Sequence, residues 1–452
     1  MNTSRRSFIK KTALATAGLT AGTMGLSAKS YSRVMGANER VVTGIIGFSN
    51  RTRGSLIPAF MNYSDRLNFE IKGVSDIWNR RRDESVAFMK QEYNKDVVTY
   101  RNNDELYADK DIDAVIIGTA DFQHALHTVE AAENKKDAFV EKPLAETMED
   151  NRKAARAVRE AGIIVQIGSQ RRSGRNYHAA NEFIKSGKFG DITMVEMSWN
   201  VNQPGRWRRP SLVAGLREEH VDWSRYLMNR PYEPFDARKY LEYRLFWPYS
   251  SGIPGQWMSH QIDTVHWFSG FGYPRSVSAN GGIYMWNDGR SNFDTMTAVF
   301  DYGPADNPNK GFQVVYSSRM HNSAGGVKEI YYSNGGELNL DTNRISPNGG
   351  LAENHASAMG MEANLLPDME LESSDIRTVT SADTGSDNTT FLHMLNWMES
   401  VRSREETNAP LQTGYEHSIA CIMVTAALRT KKQITFDSLS HEVLADGIPF
   451  KY

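Results

Sequence analysis

The fold is decided by Ala114-Val115-Ile116-Ile117-Gly118-Thr119 and, after a helix-like segment at residues 121–134, by Asp137-Ala138-Phe139-Val140-Glu141-Lys142-Pro143. Both runs are short and almost wholly apolar, as strands buried on two faces must be, and the helix between them makes one parallel βαβ unit. The second run ends on a lysine. Ligands of doubly wound sheets bind outside the carboxyl ends of the strands, so the Lys142 ammonium is expected to face a crevice. The plainer alternative is a solvated lysine at a strand end.

Toward the N-terminus, residues 41–47 read as a strand and residues 55–62 as a helix, joined by Gly47-Phe48-Ser49-Asn50-Arg51-Thr52-Arg53-Gly54. A dinucleotide fingerprint places glycines where this chain has Gly47, Ser49 and Thr52. Only the first is kept. Amides at the helix start still favour an anion, so Gly47, Ser49, Asn50 and Arg51 are expected to border a cofactor. The strand at residues 69–75 ends at Asp76, whose carboxylate suits a ribose hydroxyl and opposes a 2′-phosphate, favouring NAD over NADP. A helix N-cap is the other reading of Asp76. Strand and helix go on alternating through residues 97–100, 148–161 and 163–168, the pattern of a parallel sheet covered on both faces.

The set Ile46-Gly47, Asp76, Gly118-Thr119-Ala120-Asp121 with His124, and Glu141-Lys142-Pro143 resembles the Gfo/Idh/MocA family, the glucose-fructose oxidoreductase and inositol dehydrogenase group, over residues 40 to about 430. The resemblance implies an α/β protein with an N-terminal Rossmann dinucleotide-binding domain and a C-terminal α+β domain with an open, mostly antiparallel sheet. It also implies that Lys142 lies beside the nicotinamide and the substrate hydroxyl, that Thr119, Ala120, Asp121, His124 and Glu141 border the NAD, and that Lys142-Pro143 is a candidate cis peptide.

Beyond Gly168, Arg171 and Arg172 follow a strand end and are candidate substrate contacts. Strands are expected at residues 192–199, 275–283, 295–302, 311–318, 329–333 and 336–340, with no long helices among the last five. The first two are separated by a long excursion which, counted from Trp199, holds six of the nine tryptophans. Among them Trp207 is a candidate for stacking on a sugar face, simple aromatic packing being the alternative. Tyr249 precedes the helix-like residues 254–268 and is a reserve acid or base. On a regular helix Gln256, His260, Asp263 and Trp267 share one stripe. His260 is the expected acid-base, with Gln256 and Asp263 toward the substrate; the family's pattern has an aspartate where Gln256 stands. No metal is expected, because His260, Asp263 and His266 do not share a face. Residues 342–387, polar and without periodicity, read as a surface excursion, and helices at 388–402 and 414–428 close the chain.

At 452 residues, 40% hydrophobic and 23% charged, the chain is ordinary for two domains, placed at 39–168 and 169–452 after a leader and linker at 1–38. Its 52 basic and 54 acidic residues form no long single-sign run, which argues against a nucleic-acid partner. Ser4-Arg5-Arg6-Ser7-Phe8-Ile9-Lys10 and the small, apolar run 12–28 read as a removable twin-arginine export signal leading to the periplasm, leaving no membrane span. Cys421, the single cysteine, reads as a buried, inert thiol. The expected function is NAD-dependent oxidation of a secondary hydroxyl on a sugar, glycoside or cyclitol by an exported homo-oligomer. An NAD-dependent glycosidase and a non-catalytic sugar-binding protein remain the alternatives.

Overall fold

The computed structural model describes residues 39–371 and 388–451, so the expected leader at 1–38 and part of the 342–387 excursion lie outside the described residues. Six strands, β1 (Val41–Ile46), β2 (Phe69–Ser75), β3 (Val98–Tyr100), β4 (Ala114–Ile117), β5 (Asp137–Val140) and β6 (Val165–Ile167), form one parallel sheet in the order β3-β2-β1-β4-β5-β6. Every residue of β4 and β5 is buried, as their apolar composition requires. The order reverses at β1, which pairs with β2 on one side and β4 on the other. A crevice therefore opens beyond Ile46 and Ile117, at Gly47 and Gly118.

Helix Asn388–Ser403 returns from the far end of the chain to cover this sheet, packing Met394, Trp397 and Met398 against Ile45, Phe48 and Phe139. The next helix, Leu411–Thr430, is buried over almost its whole length and touches both sheets. A helix apolar on all sides belongs at the centre of a protein. Gly414 makes this possible at one crossing, since a Cβ there would stand 2.9 Å from both Ile167 and Leu144. Cys421 lies on this helix, buried, with its Sγ 3.3 Å from the Pro254 carbonyl.

The second sheet has eleven strands: β7 (Met194–Asn200), β8 (Ser276–Gly282), β9 (Thr295–Tyr302), β10 (Phe312–Arg319), β11 (Val327–Ser333), β12 (Gly336–Asn339), β13 (Arg344–Ser346), β14 (Met369–Glu370), β15 (Ile434–Asp437), β16 (Glu442–Ala445) and β17 (Ile448–Pro449). The pairing of β7 with β10 is parallel and the rest antiparallel. Its period-two pattern is clear in β9, where Met296, Ala298, Phe300 and Tyr302 are buried. Strands β13 to β17 have two to four residues each, too few for alternation to be read in advance.

The excursion after β7 forms a strap of short helical turns over residues 201–247. It is pinned to the parallel-sheet half by an antiparallel bridge between Trp78 and Val221 and by the Asp222 amide, which donates to the Ile77 carbonyl at 3.1 Å. Trp78, Leu216 and Val221 close over one another there as a small apolar cluster.

Candidate active site

A cleft of about 360 Å³ lies where the strap faces the crevice. Its parallel-sheet wall carries Gly47, Ser49, Asn50, Arg51, Asp76, Thr119 and Ala120; its strap wall carries Trp207, Arg209, Tyr226, Tyr243 and Arg244. Gly47 has φ +86°, and a Cβ there would meet the Thr119 methyl at 2.7 Å. Both facts require glycine.

The two missing glycines have a physical replacement. Ser49 Oγ accepts from the Thr52 amide at 3.2 Å, capping the helix that begins there, and Thr52 Oγ1 donates to the Gly47 carbonyl at 2.9 Å. Thr52 has room because the facing residue is Gly118, where any Cβ would overlap the Thr52 hydroxyl. The space that a fingerprint glycine leaves on the helix has been moved to the strand. Asp76 accepts from the Phe48 amide at 2.8 Å and the Trp78 amide at 2.9 Å. Burial raises its carboxyl pKa and these amides oppose the rise. Asp76 thus fixes the loop from below at the ribose position. The cradle at Gly47 and Gly118, the amides of the helix start and the carboxylate at the end of β2 fit a dinucleotide.

Glu141 binds Arg51, whose Nε donates to Oε1 at 2.8 Å. Burial alone would raise the Glu141 carboxyl, but the guanidinium holds it below its usual value. Lys142 follows, half-buried, and its peptide bond to Pro143 is cis. Burial pushes the ammonium down to about 8. Its Nζ donates to the Gln256 carbonyl at 2.7 Å, so the parallel sheet and the pocket helix meet at this amine.

The pocket helix begins as a π-turn at Pro254–Met258 before its α-helical part Ser259–Ser269, where a regular helix was expected. Gln256 sits on that irregular turn. Its amide donates to Asp121 Oδ2 at 2.6 Å and accepts from Arg244 Nε at 2.7 Å, which ties both cleft walls together. His260, one turn on, is buried against Trp199 at 6.0 Å between ring centres. Burial, then the charges of Lys142 and Arg171, hold its imidazole well below the usual value, so the ring is a neutral base. Trp199 stacks in turn on Trp257, with interplanar angle 5°, and Trp207 lies 5.3 Å from Trp257. Three of the six tryptophans therefore gather beside His260. Trp223, Trp247 and Trp267 pack elsewhere, on Tyr226, Arg429 and His178.

Several expected contacts are taken up within the protein. Arg172 grips Asp263 with bonds of 2.9 to 3.1 Å, and Arg171 pairs with Glu329, so these three side chains brace the pocket helix and do not face the cleft as free substrate ligands. Asp121 is buried, accepting from Gln256 and from Ser250 Oγ at 2.6 Å. His124 lies beneath the cofactor turn, its ring nitrogens 2.7 Å from the Pro143 carbonyl and 3.3 Å from that of Thr119. It supports the Lys142-Pro143 turn. Tyr249 is corrected outright: its hydroxyl donates to Glu233 within an aromatic cluster with Phe122 and Tyr226. The tyrosines that do line the cleft include Tyr243, with the Arg244 guanidinium 4.6 Å over its ring. Sequence reading missed Tyr243, Arg244 and Arg209, since no periodicity marks the strap. It also missed Glu146, whose carboxyl burial and the Asp121 charge push up to about 8.

Residues 41–169 match the family described as "Oxidoreductase family, NAD-binding Rossmann fold" (GFO_IDH_MocA). Similar curated proteins include the scyllo-inositol 2-dehydrogenase (NAD(+)) of Bacillus subtilis, 42% identical over 86 residues, which are 19% of this chain and 25% of that protein. The inositol 2-dehydrogenase of Salmonella typhimurium is 29% identical over 166 residues, 36% of this chain and 48% of that protein. These matches span about half or less of those relatives' lengths. The WlbA dehydrogenase from Bordetella pertussis, solved with NADH and UDP-GlcNAcA, shares the fold at TM-score 0.62 and 16% identity, covering 88% of this chain and 98% of that one. A putative myo-inositol dehydrogenase from Sinorhizobium meliloti does so at TM-score 0.57 and 16% identity, covering 87% and 99%. Over residues 41–169 the chain is thus similar to the Gfo/Idh/MocA oxidoreductases, with their NAD-binding Rossmann fold.

Proposed function

We propose that this protein oxidises a secondary hydroxyl of a sugar, glycoside or cyclitol, with NAD held in the cleft. The observation that carries this reading is the meeting of Lys142, at the end of β5, with the helix that bears His260, through the bond from Nζ to the Gln256 carbonyl. Gly47, Asn50, Asp76, Thr119 and Ala120 would hold the dinucleotide, and NAD when bound accepts the hydride. Lys142, still protonated below about pH 8, holds the alkoxide that develops as the hydroxyl proton leaves. His260, kept neutral by burial, takes that proton. Trp207, which lines the cleft and is backed by the buried Trp257, offers an apolar face to the C–H side of a ring substrate. The similarity to inositol and sugar dehydrogenases supports the substrate class.

A panel of cyclitols, free sugars and glycosides, incubated with the protein and NAD, is expected to yield reduced nicotinamide with at least one member. Tight NAD binding without reduction by any of them would count against the reading. Export through the twin-arginine route belongs to the same proposal, on the strength of Ser4-Arg5-Arg6-Ser7-Phe8. An Arg5→Lys, Arg6→Lys variant should then stay in the cytoplasm. The strap over the cleft favours a second reading, in which retained cofactor is recycled: oxidation at one carbon acidifies its neighbour, elimination breaks the glycosidic bond, and hydride returns after water adds. Glycoside cleavage with no net reduced nicotinamide would distinguish it. We also propose a homo-oligomer, which a solution mass measurement would test.

A further inference from the structure

The strap wall of the cleft carries two guanidiniums without a salt-bridge partner. The Arg209 side chain donates only to the Arg208 carbonyl, at 2.8 Å, and that of Arg244 only to Gln256 Oε1, at 2.7 Å; neither forms an ion pair among the described residues. The adjacent carboxylate, Glu242, is already taken by Arg208 at 3.0 Å and Arg238 at 2.9 Å, and gives Arg209 a bond to its backbone amide alone. The two cations also repel, for Arg244 adds to the burial that depresses Arg209. Both side chains are half-buried, and the carboxylates that act on them, Asp121 and Glu141 on Arg244 and Glu242 on Arg209, close no ion pair with either guanidinium, which leaves N–H donors on the cleft wall for an anionic ligand.

Their order along the cleft says which anion. Arg81 reaches Asn50 Oδ1 at 3.2 Å beside the Asp76 end and is also among the charges acting on Arg209. Arg244 lies toward Lys142, for it bonds the Gln256 side chain whose backbone carbonyl Lys142 holds. Arg209 and Arg244 thus stand between Asp76 and Lys142, in the cleft that Gly47 to Arg51 also line. That loop has little left to offer an anion. Ser49 and Thr52 spend their hydroxyls within it, and Arg51 is paired with Glu141.

We propose that Arg209 and Arg244 grip the pyrophosphate of the dinucleotide from the strap side, supplying charge that the altered glycine loop does not. The assignment rests on the dinucleotide reading above and adds to it a second wall. Bidentate guanidinium–phosphate bonds are among the stronger hydrogen bonds, so each arginine should matter at about the tenfold to hundredfold level in affinity.

The test is calorimetric titration of the purified full chain with NAD, ADP-ribose and adenosine, repeated on its Arg209→Gln, Arg244→Gln, doubly glutamine-substituted and Arg209→Lys variants. Arg53→Gln serves as the control, since that guanidinium lies over Phe88 at 5.4 Å and does not line the cleft. Glutamine at 209 or 244 should weaken NAD and ADP-ribose about tenfold or more, leave adenosine unchanged and flatten the loss of affinity with added salt. Lysine at 209 should recover part of it. Retained adenosine binding shows that the cleft is still folded. Unchanged NAD affinity in the double glutamine variant would overturn the proposal, as would an equal loss for all three ligands. Loss of affinity for an acidic sugar, with dinucleotide binding intact, would overturn it in favour of a substrate carboxylate. Absence of NAD binding by the unaltered protein would fail the dinucleotide reading itself, a separate result.

Discussion

The two walls of the cleft were built by different means. The parallel-sheet wall is a consequence of pattern: buried strands, a positive-φ glycine at Gly47 and a carboxylate at the end of β2. The strap wall has no such regularity. Its residues are placed by aromatic packing, by ion pairs such as Arg208–Glu242, and by the Trp78–Val221 bridge. The difference teaches that a binding surface can be half legible: positions set by backbone periodicity can be read in advance, whereas those set by long-range side-chain pairing cannot.

The sharpest way to break this comparison is at the residue where the halves join. Lys142→Ala should lower turnover by roughly 10²- to 10⁴-fold while NAD still binds, because the loss falls on the transition state. Stopped-flow measurement of nicotinamide reduction would check it. Next comes the pH profile. Burial lowers the Lys142 pKa to about 8, so the charge that holds the alkoxide is present below that pH and lost above it, and kcat/KM should fall on the alkaline side near pH 8.

A third experiment sharpens the account of the moved glycine. Gly118→Ala puts a methyl onto the Thr52 hydroxyl and should cost about 1–3 kcal/mol in chemical denaturation. With Thr52→Ala added, the nearest contacts become about 3.6 Å, and most of that loss should return. Additive losses would mean that the two positions are independent.

Smaller effects are expected away from the cleft. Glu146 is buried with its pKa raised to about 8, so the folded state favours the protonated acid. That preference is fully present below the unfolded value near 4.5 and is lost as pH rises through about 8. Glu146→Gln should therefore gain stability relative to the natural chain as pH rises, by a few degrees in Tm above pH 8. Tyr249→Phe removes a bond to Glu233 and should cost about 1 kcal/mol of stability without changing turnover. A large fall in turnover would return Tyr249 to the chemistry.

Much of the architecture was legible because it rests on short-range rules. The alternating elements around Ala114–Ile117 and Asp137–Val140 foretold the doubly wound sheet, and six strands of the second sheet were visible as apolar alternation. Helix Asn388–Ser403 was visible as a helix, but not its return to the first sheet, since which face a helix covers depends on partners hundreds of residues away. The site divides the same way. Gly47, Asp76 and Lys142 stand at strand ends, where topology places them. The ion pairs of Arg171 and of Arg172 with Asp263 were not legible, because a charged residue near a pocket looks the same in sequence whether it meets a ligand or another buried charge. Tyr243 and Arg244 stayed hidden in a segment without period.

The most direct test is a crystal structure of the protein grown or soaked with NAD. The account predicts the pyrophosphate between the Gly47–Arg51 loop and the strap, the adenosine ribose at Asp76, and the nicotinamide ring beside Lys142. A dinucleotide bound elsewhere, or one whose nicotinamide points away from Lys142, would contradict it.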